Sequence, residues 1–270
     1  MWPVVAVSPF VFSTHTLFVG IGVAAALAVF AVEARRTGRS DAPTWFVAMG
    51  ALAGGAFLSK AVTLWQIPAA TPGWLATFAE GGRSVLGGLA GAYLGGRVAR
   101  RVSGLSRPTG DLFAPAVALG LAVGRVGCHL TEPPGIPTGA GWGVRLSEAS
   151  VARLCPALHA PGCGANVPLH PSFLYESAFH ALVFAVLWRD RRTPRPDRRT
   201  PRPDALRFDA YLLAYALFRF GVEFVRGNAP FVGPLSRSQV FVLAAVPLLA
   251  VAVVRRIRSN PSIIPAEYVR

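Results

Sequence analysis

Seven apolar runs of roughly membrane-spanning length, separated by short segments that hold nearly all the charge, constrain this chain more than any other feature. They cover residues 17–32, 44–67, 81–98, 111–130, 171–188, 208–224 and 238–254. Only 15% of the residues are charged, against roughly 25% in a soluble domain. The pattern predicts an all-α membrane protein, a seven-transmembrane-helix bundle in which residues 1–270 form a single transmembrane domain. No basic side chain precedes the first run within the first fifteen residues, so it is expected to be a retained span and not a cleaved signal.

The arginines set the expected orientation. Arg35, Arg36 and Arg39 follow the first run, and Arg97, Arg100, Arg101 and Arg107 follow the third. The heptapeptide RRTPRPD occurs twice in tandem after the fifth (Arg191 to Asp197, then Arg198 to Asp204), and Arg255, Arg256 and Arg258 follow the seventh. The intervening connections are poor in basic residues. Cytoplasmic loops collect Lys and Arg, so the N-terminus is placed outside and the C-terminus in the cytoplasm. Residues 129–170 then form an extracytoplasmic loop, rich in Gly and Pro and expected to be an irregular cap. Residues 189–207 form a basic cytoplasmic linker, expected to be disordered and to face lipid headgroups. The same arginines account for the net charge of +14, which removes the reason to invoke nucleic acid. Small residues recur at four-residue intervals (Gly50 and Gly54; Gly87, Gly91 and Gly95; Gly120 and Gly124), a spacing that lets helices pack closely in lipid. The three cysteines lack a paired C-x-x-C spacing, so neither a zinc site nor a cofactor is expected. Cys155 and Cys163 form a disulfide if their loop faces an oxidising compartment and stay free otherwise.

Ionisable residues within spans are costly and mark candidate sites. Lys60, Arg83, Arg125, His170, Tyr175, Glu176, Arg219, Glu223 and Arg226 all fall in the outer half of the bilayer or at its outer interface in this topology. Lys60 and Arg83 are equally well read as snorkelling to the interface. Tyr211, Tyr215, Arg219, Glu223 and Arg226 recur at three- and four-residue intervals and share one helix face. Arg219 and Glu223 pair at i,i+4. Either they neutralise each other between helices, or the carboxylate holds a guanidinium whose other donors face an anion. Several arginines at headgroup depth point to an anionic phospholipid. His129 and His170 flank the outer loop, where an imidazole can act as general base. His15 and His159 are read as ordinary loop or interface residues, and His180 as a hydrogen-bond partner of Glu176.

Gly124-Arg125-Val126-Gly127, then His170-Pro171-Ser172-Phe173-Leu174-Tyr175-Glu176, then Phe218-Arg219-Phe220-Gly221-Val222-Glu223-Phe224 resemble, in order, the motifs of prolipoprotein diacylglyceryl transferases. Asp111-Leu112-Phe113-Ala114-Pro115 and Gly87-Gly88-Leu89-Ala90-Gly91 are similar to further family patterns. The resemblance implies a seven-helix enzyme of the bacterial inner membrane that moves a diacylglyceryl group from phosphatidylglycerol to the thiol of a lipobox cysteine, releasing glycerol phosphate. It assigns Arg125 and Arg219 to the phospholipid headgroup, with Glu223 supporting Arg219. Tyr175, Glu176 and Arg226 are taken with them as substrate-binding residues, and His129, His170 and Glu223 as catalytic candidates. The expected partners are phosphatidylglycerol and a prolipoprotein lipobox peptide, acted on by a monomer. The chain departs from the family pattern at Leu86, where a histidine usually precedes Gly-Gly-Leu, and at Cys128-His129-Leu130-Thr131-Glu132, where asparagines and a glutamate usually follow. His129 is the expected replacement base. Two other readings compete: a non-catalytic binder of anionic phospholipid, which Leu86 favours, and a transporter. A transporter needs ionisable residues along its path, and the inner half of the spans offers little beyond Asp111 and Asp209.

Overall fold

The computed structural model describes residues 4–7, 10–64, 84–159, 161–191 and 205–259. Arg83 and, Arg191 apart, both RRTPRPD repeats lie outside these residues. The described chain is mostly helical and divides into two compact units, residues 1–33 with 110–270 and residues 34–109. Seven of its helices have 18 residues or more. Four of those are long and apolar enough to cross a membrane: α1 (Thr14–Arg36), α2 (Ala42–Ala61), α4 (Gly110–Thr131) and α8 (Arg237–Arg258). The others are α3 (Val85–Val102), α6 (Ser172–Asp190) and α7 (Leu206–Glu223). Two of these are less apolar because they carry buried ions, Glu176 on α6, and Asp209, Arg219 and Glu223 on α7.

In the smaller unit α2 packs against α3 through glycine. A Cβ on Gly50 would lie 3.0 Å from the Gly95 carbonyl oxygen, so the backbones approach as closely as the four-residue spacing predicts. The second apolar run ends as helix at Ala61, and the third starts later than expected, at Val85. Ser84 sets that start, because its side chain accepts from the Gly87 N–H and caps α3. At the other end Asp41 caps α2 and Arg107 bridges Asp41 (2.5 Å) and the Thr44 hydroxyl (3.1 Å).

The larger unit begins with an unanticipated hairpin, β1 (Val4–Val7) paired antiparallel with β2 (Phe10–Ser13). Both runs are rich in β-branched and aromatic residues, which favour strands over helix. Helices α1, α4, α6, α7 and α8 follow. Gly22 of α1 lies against Gly120 of α4, where a Cβ on Gly22 would meet the Gly120 carbonyl oxygen at 2.6 Å. The same Cβ would lie 3.4 Å from the Gly124 backbone nitrogen, so both glycines of the α4 pair border α1, although a Cβ on Gly124 itself would meet nothing within 4 Å. Ion pairs tie one end of this unit together: Glu33 with Arg191 (2.8 Å), Asp190 with Arg207, and Asp209 with Arg256. The starts of α4 and α7 therefore lie beside the ends of α6 and α8, which places the opposite helix ends together as well.

At that opposite end the segment between α4 and α6 is more ordered than an irregular cap. It contains α5 (Glu148–Leu154), a 3-10 turn (Cys155–Ala157) and a small core of Leu146, Leu154 and Leu169. Val144 and Leu169 exchange both backbone hydrogen bonds at 2.9 Å. Cys155 and Cys163 form a disulfide with a Cα–Cα separation of 5.7 Å. The Ile136 N–H donates to the Val225 carbonyl (2.9 Å), pinning the segment to the turn after α7.

Candidate functional site

Polarity in the larger unit is inverted relative to a soluble protein. Arg125, Glu176, His180, Asp209, Arg219 and Glu223 are buried, while Leu182, Leu217, Leu248 and Val251 are exposed. The buried charges concentrate where the end of α4, the start of α6 and the end of α7 meet.

Glu176, with 0% exposure, is the centre. One carboxylate oxygen accepts from Arg125 (2.6 Å) and from the Tyr215 hydroxyl (2.7 Å). The other accepts from Arg226 (2.7 Å), with the Arg219 Nε at 3.8 Å. Arg125 also donates to the Tyr215 oxygen at 3.0 Å. The Phe173 ring lies under the guanidinium of Arg226 (4.2 Å to the centroid) and further from that of Arg125 (5.8 Å). Helical spacing explains the convergence: Phe173 and Glu176 are three apart on α6, and Tyr215, Arg219 and Glu223 are four apart on α7.

Arg219 is oriented from its other side. One terminal nitrogen pairs with Glu223, and the second lies 3.4 Å from the Ser238 hydroxyl. The second oxygen of Glu223 accepts from Asn228 and from Ser236, both at 2.6 Å. Ser236 is the N-cap of α8 in a reciprocal capping box with Gln239, so the carboxylate is anchored to a helix start. Three guanidinium groups thus face two carboxylates, an excess of one positive charge. The Nε of Arg125 is buried with no hydrogen-bond partner among the described residues, an orphan donor of the kind that buried groups rarely leave unsatisfied. Arg226 lies just beyond α7. Its burial, followed by the Arg219 guanidinium, lowers its pKa below the ordinary arginine value, while Glu176 opposes the shift. An arginine remains cationic all the same.

Of the residues singled out from sequence, Arg125, Glu176, Arg219, Glu223 and Arg226 come together. His170 and Tyr175 pair with each other, Nδ1 to hydroxyl, at 3.0 Å, and the Trp142 ring stands edge-on to the imidazole. His129 shares no hydrogen bond with the cluster among the described residues, and its Nδ1 is buried without a partner. The imidazole of His180 meets the Tyr211 hydroxyl (2.8 Å), which corrects its expected pairing with Glu176. Tyr215 was visible as a member of the α7 face, but its bridging of Arg125 and Glu176 was not. His15 was set aside, yet it meets Cys128 and Glu132, and the three form a group of potential metal ligands.

A family profile described as prolipoprotein diacylglyceryl transferase matches residues 3–255. Among similar proteins, the phosphatidylglycerol–prolipoprotein diacylglyceryl transferase of Gloeobacter violaceus is 35% identical over 220 residues, covering 78% of this chain and 74% of that protein. The protein of the same name from Azotobacter vinelandii is 34% identical, covering 74% and 68%. That from Pseudomonas putida is 30% identical, covering 82% and 79%. With the arginine and glutamate motifs joined in one buried cluster and a profile match over nearly the whole length, the chain belongs to the prolipoprotein diacylglyceryl transferase family.

Proposed function

We propose that this protein transfers the diacylglyceryl group of phosphatidylglycerol to the lipobox cysteine thiol of a prolipoprotein, working as a monomer in the bacterial inner membrane. All seven long helices cross the bilayer in this reading, with the N-terminus outside and the site at the outer leaflet. The observation that carries it is the buried cluster around Glu176, with its excess positive charge and the orphan Nε of Arg125. A dianionic or monoanionic phosphate seated there gains charge-assisted hydrogen bonds in a dry site, where they are strongest.

Arg125, Arg219 and Arg226 bind the headgroup phosphate, Glu176 holds the three guanidinium groups together, and Glu223 keeps the fork of Arg219 in register. Tyr175, hydrogen-bonded to His170, is a further substrate-binding residue. As the thiol sulfur attacks the glyceryl carbon, the bond to the phosphate oxygen breaks and charge grows on the departing glycerol phosphate. Arginines fixed in advance stabilise that charge without reorganising. The acceptor thiol, with an ordinary pKa near 8.5, needs a base or a cation to ionise at neutral pH. His129 and His170 are the candidate bases at this end of the larger unit.

Incubating the purified full-length chain with labelled phosphatidylglycerol and a lipobox peptide tests the reading. Thioether-linked peptide and one glycerol phosphate per transfer are expected. Tight phosphatidylglycerol binding with no transfer would leave the lipid-binder reading, which the leucine at position 86 favours.

A further inference from the structure

Cys128 and Glu132 stand one turn apart at the end of α4, the Glu132 N–H donating to the Cys128 carbonyl at 2.8 Å. His15, in the first turn of α1, reaches them because residue 127 is glycine: a Cβ there would lie 2.6 Å from the Cβ of Phe18. The His15 Nδ1 lies 3.8 Å from the Cys128 sulfur and 3.5 Å from a Glu132 oxygen, and the three ligand atoms lie within 4.8 Å of one another. A nitrogen-to-oxygen distance of 3.5 Å is long for a direct hydrogen bond. It suits two atoms that share a third between them. Zinc–ligand bonds of about 2.0–2.3 Å at tetrahedral angles put nitrogen and sulfur about 3.6 Å apart, and nitrogen and oxygen about 3.4 Å apart.

We propose that His15, Cys128 and Glu132 form a three-ligand site for a zinc-type divalent cation, with a fourth position open to a thiol. Imidazole, thiolate and carboxylate together match a borderline-soft ion, and three protein ligands with one open position are the pattern of a reactive zinc centre. One thiolate and one carboxylate neutralise a divalent cation, so the site adds no net charge. Arg125, whose terminal nitrogen is 3.9 Å from the Cys128 sulfur, joins this site to the phosphate-binding cluster. The thiol half of the proposal rests on the transferase reading. Coordination releases the acceptor's proton to solvent and holds its sulfur as a thiolate. That sulfur forms the carbon–sulfur bond as the carbon–oxygen bond to phosphate breaks, and the electron pair leaves with glycerol phosphate. The cation changes neither charge nor oxidation state.

The test is to strip the full-length protein in detergent–lipid micelles with a chelator and titrate it with cobalt(II), then with zinc. The expected result is one cobalt per chain, the visible bands of a tetrahedral ion, a near-ultraviolet thiolate charge-transfer band, and displacement by zinc. The chain has three cysteines and two are joined to each other, so the band reports Cys128 alone. Cys128→Ser removes the band, while His15→Gln and Glu132→Gln each weaken cobalt binding by at least about tenfold. Circular dichroism melts confirm that the variants are folded, and if Cys128→Ser does not fold, the other two decide. No charge-transfer band with cobalt in excess, or binding unchanged in His15→Gln and Glu132→Gln, overturns the site. Adding a lipobox peptide is expected to shift the cobalt bands, and the same peptide with Ser for Cys is not. A bound cobalt indifferent to both peptides overturns the thiol half. Diacylglyceryl transfer undiminished after chelation removes the cation from the reaction and leaves the transferase reading intact. A cobalt site in a chain that never transfers keeps the site and sinks that reading.

Discussion

Arg219 uses separate faces of its guanidinium for Glu223, Ser238 and Glu176, which a point charge on a flexible stem cannot reproduce. Arg219→Lys is therefore expected to lower kcat/KM by about 100-fold, the scale of losing a preorganised donor to developing charge. Glycerol phosphate release measures it, and an unchanged rate would remove Arg219 from the headgroup site. Glu176 poses the converse case. Glu176→Gln leaves the guanidinium groups of Arg125, Arg219 and Arg226 facing only Glu223, and breaking a buried ion network from one side costs roughly 3–5 kcal/mol. Thermal melting in detergent should show that loss, whereas a merely local role would leave the melting temperature in place. The arginines and glutamates were legible in the sequence because a charge inside an apolar run is conspicuous and helical periodicity aligns it. The bridging of Arg125 and Glu176 by Tyr215 and the part of His15 were not, for opposite reasons. Tyrosine is unremarkable in a span. His15 meets Cys128, 113 positions away, and Glu132, separations that no local spacing encodes.

Helix pairing turns on where a Cβ is tolerated. Gly22 and Gly20 sit on the same helix, but only at Gly22 would a Cβ meet a neighbour, the Gly120 carbonyl oxygen at 2.6 Å. Gly22→Ala should force α1 and α4 apart and cost about 1–3 kcal/mol, as overpacking does. Gly20→Ala, with nothing within 4 Å, should be neutral or stabilise by up to about 1 kcal/mol through helix propensity. Equal melting temperatures for the two variants would show that the close approach of α1 to α4 has no energetic weight. The existence of the long helices was readable from hydropathy, whereas their ends were set by side chains that hydropathy ignores. Ser84 starts α3 at Val85, four residues beyond the apolar boundary. Arginine is a good helix former and suits the negative end of the helix dipole, so α1, α3 and α8 run on into their arginines.

The whole molecule carries its orientation in its charge. Arg191, Arg207 and Arg256 gather at one end of the larger unit with Glu33, Asp190 and Asp209, and the Glu176 cluster and the disulfide lie on segments at the other. The hairpin at the N-terminus escaped notice because two four-residue strands are too short to register beside runs of membrane-spanning length. The disulfide was undecided because its formation depends on which compartment the loop enters. That dependence turns the topology into a test. An arginine-rich segment resists translocation, so residues 191–204 are expected to stay in the cytoplasm while residues 129–170 face outside. Thr200→Cys should resist a membrane-impermeant maleimide in intact cells and label after permeabilisation. Ala140→Cys, at an exposed position of the outer segment, should label without permeabilisation, and the buried Cys128 of the parent supplies the background. Labelling of Thr200→Cys in intact cells would reverse the orientation. The Glu176 cluster would then lie at the cytoplasmic leaflet, and a prolipoprotein whose lipobox has crossed the membrane could no longer bring its thiol to the cluster.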